Sequence, residues 1–424
     1  MKNILTKILQ TKKKNNYKDL LFLEIQKTTK VAEIFKAVLN YDSKSEIRFV
    51  GGCVRKILNN EKFDDIDLAT NLNPNQIKKC LEINNIKYFD IGIKHGTITA
   101  HINNKNFEIT SLRKDIKTDG RHALVEFTND WRADASRRDF TINSIYSDLE
   151  GNLFDPNDGL KDLKNGYVKF IGDPEKRIKE DYLRILRYLR FFINYSKHDH
   201  ENNIKKIIKQ NITGAVNLSK ERLLDELKKI VLSKGFLNLN KDSFSKELLL
   251  LIFPQLKHIK IFNNLSKYSQ SILIKKDFIF LLSLLIIDES DNSEYFLYKF
   301  NLSNEAKRRI SFLKDFFGKK INSSAFSKNN LQKVFYFHGK SDLIDLIDFY
   351  FIKLRKKNNK LAEVKKYFEK IEKPVFPIKA EIVMKKYRIN EGKELGQKLK
   401  SLENLWVENN FKISDKDVDK VFLN

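Results

Sequence analysis

The segment RFVGGCVRKILNNEKFDDIDLAT, residues 48–70, sets a double glycine beside an arginine and, ten residues further on, two aspartates separated by a single residue. Its reading decides the fold of the first part of the chain. The apolar run before Gly51 and Gly52 is strand-like, VRKILNN looks like a helix start, and DDIDLAT returns as a strand on which Asp65 and Asp67, at i and i+2, point to one face. Two anions held side by side repel each other, so something must compensate. Paired carboxylates suit a divalent cation, and Mg²⁺ is usually bound by one or two carboxylates together with substrate phosphates and water. Glu108, between apolar neighbours in NFEITSLR, could supply a third acid from an adjacent strand. A lone DxD reads more readily as a solvated strand end, and GG alone fits an ordinary strand-to-helix turn. Their succession at strand, helix, strand spacing favours a site. There the glycines admit a ligand close to the backbone, and the amides of the helix start, with Arg55 beside them, form a triphosphate cradle.

Working outward, residues 46 to about 150 carry short β-like runs: IRFVGG, DDIDLAT, TITAHI, NFEITSLR and INSIYSDLEGNLFD. Turns are expected at Asn103–Lys105 and Glu150–Asn152, because Asn and Gly tolerate positive φ. Before this region, residues 17–41 show helical spacing with Leu20, Leu21, Ile25, Val31, Ile34, Phe35, Val38 and Leu39 as a buried stripe. After DPNDGLKDL, residues 155–163, strand signals almost vanish. DYLRILRYLRFF, SKERLLDELKKIVLS and DLIDLIDFYFIKLRKK all space apolar residues at i, i+3, i+4 with basic outer faces. KPVFPIK, residues 373–379, reads as a linker before a last small helical unit. The fold class expected is α+β, a mixed sheet with helices followed by an all-helical remainder.

With 424 residues the chain is too long for one simple core. Its formal net charge of +25 suits a polyanionic partner such as nucleic acid or an anionic membrane surface, although a chain also crowded with Asn, Ile and Phe can owe its lysines to base composition. Cys53 and Cys80 show no metal-ligand spacing and read as reduced thiols. The opening residues lack the apolar region of a secretory signal, and DFIFLLSLLIID, residues 277–288, is too short to span a bilayer. A cytoplasmic protein with no membrane segment is the expectation.

Two further clusters bear on chemistry. SRRDFTINSI, residues 136–145, packs Arg137, Arg138, Asp139 and Asn143 together: guanidinium groups bind phosphate oxygens bidentately, and Asp139 and Asn143 can meet a ribose hydroxyl. A structural ion-pair cluster explains RRD equally well by itself. In EDYLRILRYLRF, residues 180–191, Asp181, Arg184, Arg187 and Arg190 recur every third residue along one helix face. That pattern is also that of an amphipathic helix with internal ion pairs, but a fixed acid and fixed arginines can present acceptor and donors to a base edge. HDH, residues 198–200, stands without partner ligands and is assigned no activity.

In order along the chain, GGCVR with DDIDLAT, the segment from FEITSLRKD to SRRDFTINSI, FDPNDGLKDL, and EDYLRILRYLRF together resemble the tRNA nucleotidyltransferase and poly(A) polymerase family, specifically its bacterial-type (class II) CCA-adding members. The resemblance is dense over residues 48–192 and thins thereafter, returning in FPIKAEIVMKKYRINEGKELGQKLKSLENLW. It implies a polymerase-β-like head at 46–153 after an N-terminal helical segment at 1–45, then a helical neck at 154–215, body at 216–345 and tRNA-binding tail at 346–424. It also implies two Mg²⁺ ions on Asp65 and Asp67 with Glu108 as third carboxylate, triphosphate contacts from Gly51, Gly52 and Arg55, and ribose and phosphate contacts from Arg137, Arg138, Asp139 and Asn143. Asp181 and Arg184, with Arg187 and Arg190 beside them, would act as an amino-acid template accepting CTP and ATP and rejecting UTP and GTP. DPNDG would be a hinge, and residues 113 to about 134 a flexible loop needed for the final A. The expected activity is addition of CCA to tRNA; poly(A) synthesis and a catalytically silent RNA-binding protein are the alternatives, and monomer or dimer stays undetermined. Two positions depart from the family pattern: Lys56 stands where an acid is usual, and Ala380–Glu381 where a Gly-Asp-like pair is usual.

Overall fold

The computed structural model describes residues 25–63, 65–119, 122–318, 323–355 and 358–423. It divides into two compact units, Met1–Ile252 and Phe253–Asn424.

In the first unit, α1 (Val31–Leu39) precedes β1 (Ile47–Val50), α2 (Gly52–Leu58), β2 (Ile66–Thr70), α3 (Pro74–Ile83), β3 (Lys87–Phe89), β4 (Thr97–Ile102) and β5 (Lys105–Ser111). With β8 (Tyr146–Ser147) and β9 (Leu153–Phe154) the strands make a seven-stranded sheet in the order β3-β4-β5-β2-β1-β8-β9. Only the β2–β5 pair is parallel. β4 and β5 meet at the expected turn, where Asn103 and Asn104 both take positive φ, the conformation that matches strand twist in a two-residue hairpin. α3 starts cleanly because Asn73 and Gln76 form a reciprocal capping box ahead of Pro74.

Strand alternation sorts the two faces of this sheet. Ile66, Leu68, Phe107 and Ile109 pack with α1, α2 and α3 in one core. Asp67 and Glu108, odd to that set, therefore emerge on the opposite face, directly paired across β2 and β5. There a smaller cluster of Val50, Ala69, Leu112, Trp131, Ala135 and Tyr146 leaves part of the sheet uncovered.

Three expectations need correction, and a fourth gains detail. Asp65 lies just before β2, so the strand carries only Asp67 of the pair. In the stripe of residues 17–41, Lys30 in a left-handed conformation interrupts the helix and Leu39 is exposed; Ile25, Val31, Ile34, Phe35 and Val38 are buried, and Leu20 and Leu21 lie outside the described residues. The segment expected as a flexible loop contains an antiparallel pair, β6 (Arg113–Asp119) and β7 (His122–Phe127), whose register shifts between Asp115 and Lys117, followed by α4 (Trp131–Ser136). EDYLRILRYLRF is two helices: α5 (Gly159–Asn165) is followed by α6 (Pro174–Glu180), Asp181 is extended, and α7 (Leu183–Tyr195) begins after it. The Asp181 carboxylate accepts the Leu183 N–H at 3.1 Å, a free amide of the new helix, which is why the chain restarts there. Helices α8 (Asn202–Val216), α9 (Lys220–Val231) and α10 (Ser243–Ile252) complete the unit.

The second unit is helical. Helix Phe278–Ile286 is buried along nearly its whole length, as its apolar run implies. The long helix Lys328–Leu354 bends at Gly339 and corrects the idea of a basic outer face: Asp342, Asp345 and Asp348 are buried and pair with Arg308, Arg309, Lys276 and Lys365 at 2.5–2.8 Å. In the segment read as a linker, Phe376 and Ile378 pack into the last helical cluster. Among the described residues no helix is long and apolar enough to cross a membrane.

Candidate active site

A cavity of about 730 Å³ opens on the uncovered face of the sheet. Gly51, Gly52, Arg55, Asp65, Asp67, Arg137, Arg138, Asp139, Asn143, Asp181, Arg184, Arg187 and Arg190 all line it. Glu108 does not: it stands behind Asp67 in the sheet register. Counting the lining side chains, nine Lys and Arg face six Asp and Glu, so the cavity carries a surplus of positive charge suited to a triphosphate.

The floor is built by α2. Gly51 takes φ +71°, and a Cβ on it would sit 3.5 Å from Arg138 Nη1 and 4.0 Å from an Asp67 carboxylate oxygen. Glycine here keeps the helix start open to a ligand. Arg55, one turn on, is buried; its Nη1 donates to the Asn143 side-chain oxygen, and its guanidinium lies over the rings of Phe191 and Tyr195 at 4.7 and 5.1 Å.

One wall is built by α4 and the turn after it. Buried Asp134 accepts from Arg137 Nε at 2.8 Å, from Arg138 Nη2 at 3.1 Å and from the Tyr146 hydroxyl at 2.7 Å. Burial would raise its pKa, but the two arginines and the hydroxyl hold it well below the usual carboxylate range. Asp139 accepts from Asn143 Nδ2 and the Phe140 amide, both at 2.9 Å, and from Arg187 Nε at 2.7 Å. Burial opposes its ionisation, yet Arg187 and these donors hold its pKa at about 2.

The opposite wall comes from α6, α7 and α9. Arg184 Nη1 donates to Glu180 and to the Arg177 carbonyl, at 2.5 and 2.6 Å. Arg222 reaches the Asp181 carboxylate at 2.7 Å, and Glu226, 1% exposed, takes Arg190 Nε at 2.5 Å. Phe191 packs beneath the Arg55, Arg187 and Arg190 guanidinium groups.

Sequence reading missed Asp134, Tyr146, Arg177, Glu180, Arg222, Glu226, Phe191 and Lys229. Asp134 had a local signal, lying three and four residues before Arg137 and Arg138 on one helical face. Arg222 and Glu226 had none, because their partners are about 40 residues away in the chain. His200 of the HDH triplet is structural: it is buried against Phe192 and hydrogen-bonded to Tyr188 and Asp242. Cys53 is a buried thiol beneath β2, its pKa pushed up to about 11 by burial and by Asp67.

The acidic corner has the donor chemistry of a divalent-metal site. Burial, then Glu108 and Asp65, push the Asp67 pKa up to about 6, against Arg138 and Lys56. The strain is an unneutralised excess of carboxylate oxygen, which a hard cation relieves. Among the described residues no three acid, His or Cys side chains form a cage of their own. Two carboxylates completed by substrate phosphates and water are what Mg²⁺ accepts, so the residues present fit it.

Residues 47–169 match the family described as Poly A polymerase head domain. The mitochondrial CCA tRNA nucleotidyltransferase 1 of Homo sapiens is 50% identical over 189 residues, 44% of each chain, so the match spans less than half of that relative. The CCA-adding enzyme of Staphylococcus haemolyticus is 31% identical over 310 residues, 71% of this chain and 72% of that one. The chain belongs to the CCA-adding nucleotidyltransferase family. The crystal structure of the Bacillus stearothermophilus CCA-adding enzyme in complex with CTP, 20% identical, matches 89% of this chain and 93% of its own with a TM-score of 0.65. The α+β head with a helical remainder expected from the sequence is thus the fold that this chain shares with CCA-adding enzymes.

Proposed function

We propose that this protein adds CCA to the 3′ end of tRNA without a nucleic-acid template, using CTP and ATP and releasing pyrophosphate. The observation that carries the reading is the convergence in one cation-rich cavity of the Asp65/Asp67 pair, the α2 N-terminus with Arg55, the Arg137–Arg138 pair and the Asp181/Arg184 pair.

Each group has a chemical task there. The α2 amides, Arg55 and the two arginines after α4 hold the triphosphate. Asp139 and Asn143 orient the ribose. Asp181 offers an acceptor to the amino group that C carries at N4 and A at N6, and repels the carbonyl oxygen that U and G present at the matching position; Arg184 donates to the neighbouring base acceptors. Mg²⁺ on Asp65 and Asp67 would screen the triphosphate and lower the pKa of the attacking 3′-hydroxyl. The head, neck, body and tail boundaries at 46–153, 154–215, 216–345 and 346–424, the tRNA grip of the tail, the hinge at DPNDG and cytoplasmic action belong to the same proposal. Asp155 supports the hinge, since both of its carboxylate oxygens accept from the start of α5, Gly159 and Leu160 N–H at 2.8 Å.

The test is incorporation of radiolabelled CTP and ATP, singly and together, into a tRNA transcript lacking CCA, with Mg²⁺. Two C additions from CTP alone and one terminal A only when both are present are expected. Long A tracts would move the reading to poly(A) synthesis, and no product at all would refute it as an enzyme.

A further inference from the structure

We infer that Arg177 is a positioning residue that ties base reading to phosphate binding in this cavity. The inference rests on the functional reading above. Arg177 lies on α6, upstream of the base-reading pair, and its side chain is 11% exposed. One guanidinium nitrogen donates to the carbonyl oxygens of both Arg137 and Arg138, the latter at 2.6 Å. These are carbonyls at the C-terminal end of α4, which its own backbone leaves without partners and which a cation satisfies well. The other terminal nitrogen donates to Glu180 at 2.5 Å, and the same Glu180 oxygen accepts from Arg184. Arg184 also donates to the Arg177 carbonyl at 2.6 Å.

Arg184, proposed to read the base, and Arg137 and Arg138, proposed to hold phosphate, thus connect through one residue about 40 positions from the arginine pair. A base that pulls Arg184 out of register pulls on Arg177 and on the backbone that aims the two phosphate-binding arginines. A fork-shaped donor is required, since a lysine in its place has a single nitrogen and no planar geometry with which to span two carbonyls and a carboxylate.

The experiment is steady-state incorporation of CTP and UTP by the full-length wild type, Arg177→Lys, Arg177→Gln, Arg184→Gln and the Arg177→Lys/Arg184→Gln double variant, with thermal melts of each. For Arg177→Lys we expect KM for CTP to rise about tenfold with a smaller change in kcat, CTP-over-UTP preference to fall about tenfold, and a melting temperature near that of the wild type. Arg177→Gln should lose more of both. In the double variant, preference should fall no further than in Arg184→Gln alone, because Arg177 selects only through Arg184. Unchanged KM and preference in both Arg177 variants, or equal losses for CTP and UTP that track the melting temperature, would overturn the inference. Independent losses in the double variant would do so too. A wild type that takes UTP as readily as CTP would overturn the functional reading itself.

Discussion

Asp139→Asn isolates the charge of one carboxylate on which four donors from three residues converge. The substitution keeps the side chain's shape and one carbonyl oxygen but removes the charge facing Arg187, whose Nε and Nη2 lie 2.7 and 2.5 Å away. Folding lowers the pKa from the usual 3.8 to about 2. At about 1.4 kcal/mol per pH unit this difference is worth roughly 2 kcal/mol, and because the Arg187 side chain keeps 30% exposure, solvent screening brings the expectation to roughly 1–2 kcal/mol. A depressed carboxylate pKa fixes the sign: the stabilisation is complete above the unfolded value near 3.8 and disappears as pH falls through about 2. Urea unfolding can follow it by tryptophan fluorescence in a Trp406→Phe background, which leaves Trp131, packed edge-on against Tyr146 at 5.3 Å, as the only tryptophan. At pH 7 the variant should be less stable by that amount, and the gap should close between pH 4 and 2. Asp134 and other acids titrate in both proteins and cancel in the difference. An Asp139→Asn protein as stable as the parent at pH 7, or a gap that does not change with pH, would refute the reasoning.

Other consequences are as direct. Asp67→Asn should cut CTP incorporation about a thousandfold, the effect of losing several kcal/mol of metal-assisted stabilisation, while a filter-binding assay shows tRNA affinity little changed; retained turnover would remove Asp67 from the chemistry. Gly159→Ala would place its Cβ 2.1 Å from the Thr141 carbonyl oxygen and 2.9 Å from the Ile145 side chain, so calorimetry should show a loss of about 1–3 kcal/mol, and an unchanged melting temperature would mean that this contact yields freely. Phe191→Ala removes a ring 2% exposed that lies beneath three guanidinium groups. It should cost about 3–5 kcal/mol in urea unfolding and raise KM for CTP, and normal KM would show that the arginines hold their places without it.

What was legible in the sequence was local. The β4–β5 hairpin, the strand-helix-strand path through residues 48–70 and the buried helix at 278–286 all follow from periodicity and turn chemistry within about twenty residues. What was not legible depended on distant partners. DLIDLIDFYFIKLRKK reads as an amphipathic helix with a basic outer face, because nothing local reveals that Lys276, Arg308, Arg309 and Lys365 fold against its aspartates and bury them. The break at Asp181 is a different failure. Its i+3 spacing to Arg184 fits an unbroken helix as well as a broken one, and only the hydrogen bond to Leu183 N–H decides. Read as a helix start, an acid before an apolar run would have suggested it.

The break also changes how the cavity is organised. On one continuous helix Asp181 and Arg184 would be neighbours one turn apart and would neutralise each other. Instead Asp181 answers to Arg222 and Arg184 to Glu180, while Arg187 and Arg190 answer to Asp139 and Glu226. Each is fixed from outside by an opposite charge before any ligand arrives, which lowers the ordering cost of binding but also offsets much of its field. Arg55 differs. It is buried, its terminal nitrogen donates to the neutral amide of Asn143, and its face rests on Phe191 and Tyr195. Held by neutral groups one turn beyond the glycines, its charge remains available to an incoming anion. On the proposed function, the grip on the triphosphate falls to Arg55 before the arginines of α7, which would account for an arginine beside the double glycine of the opening segment.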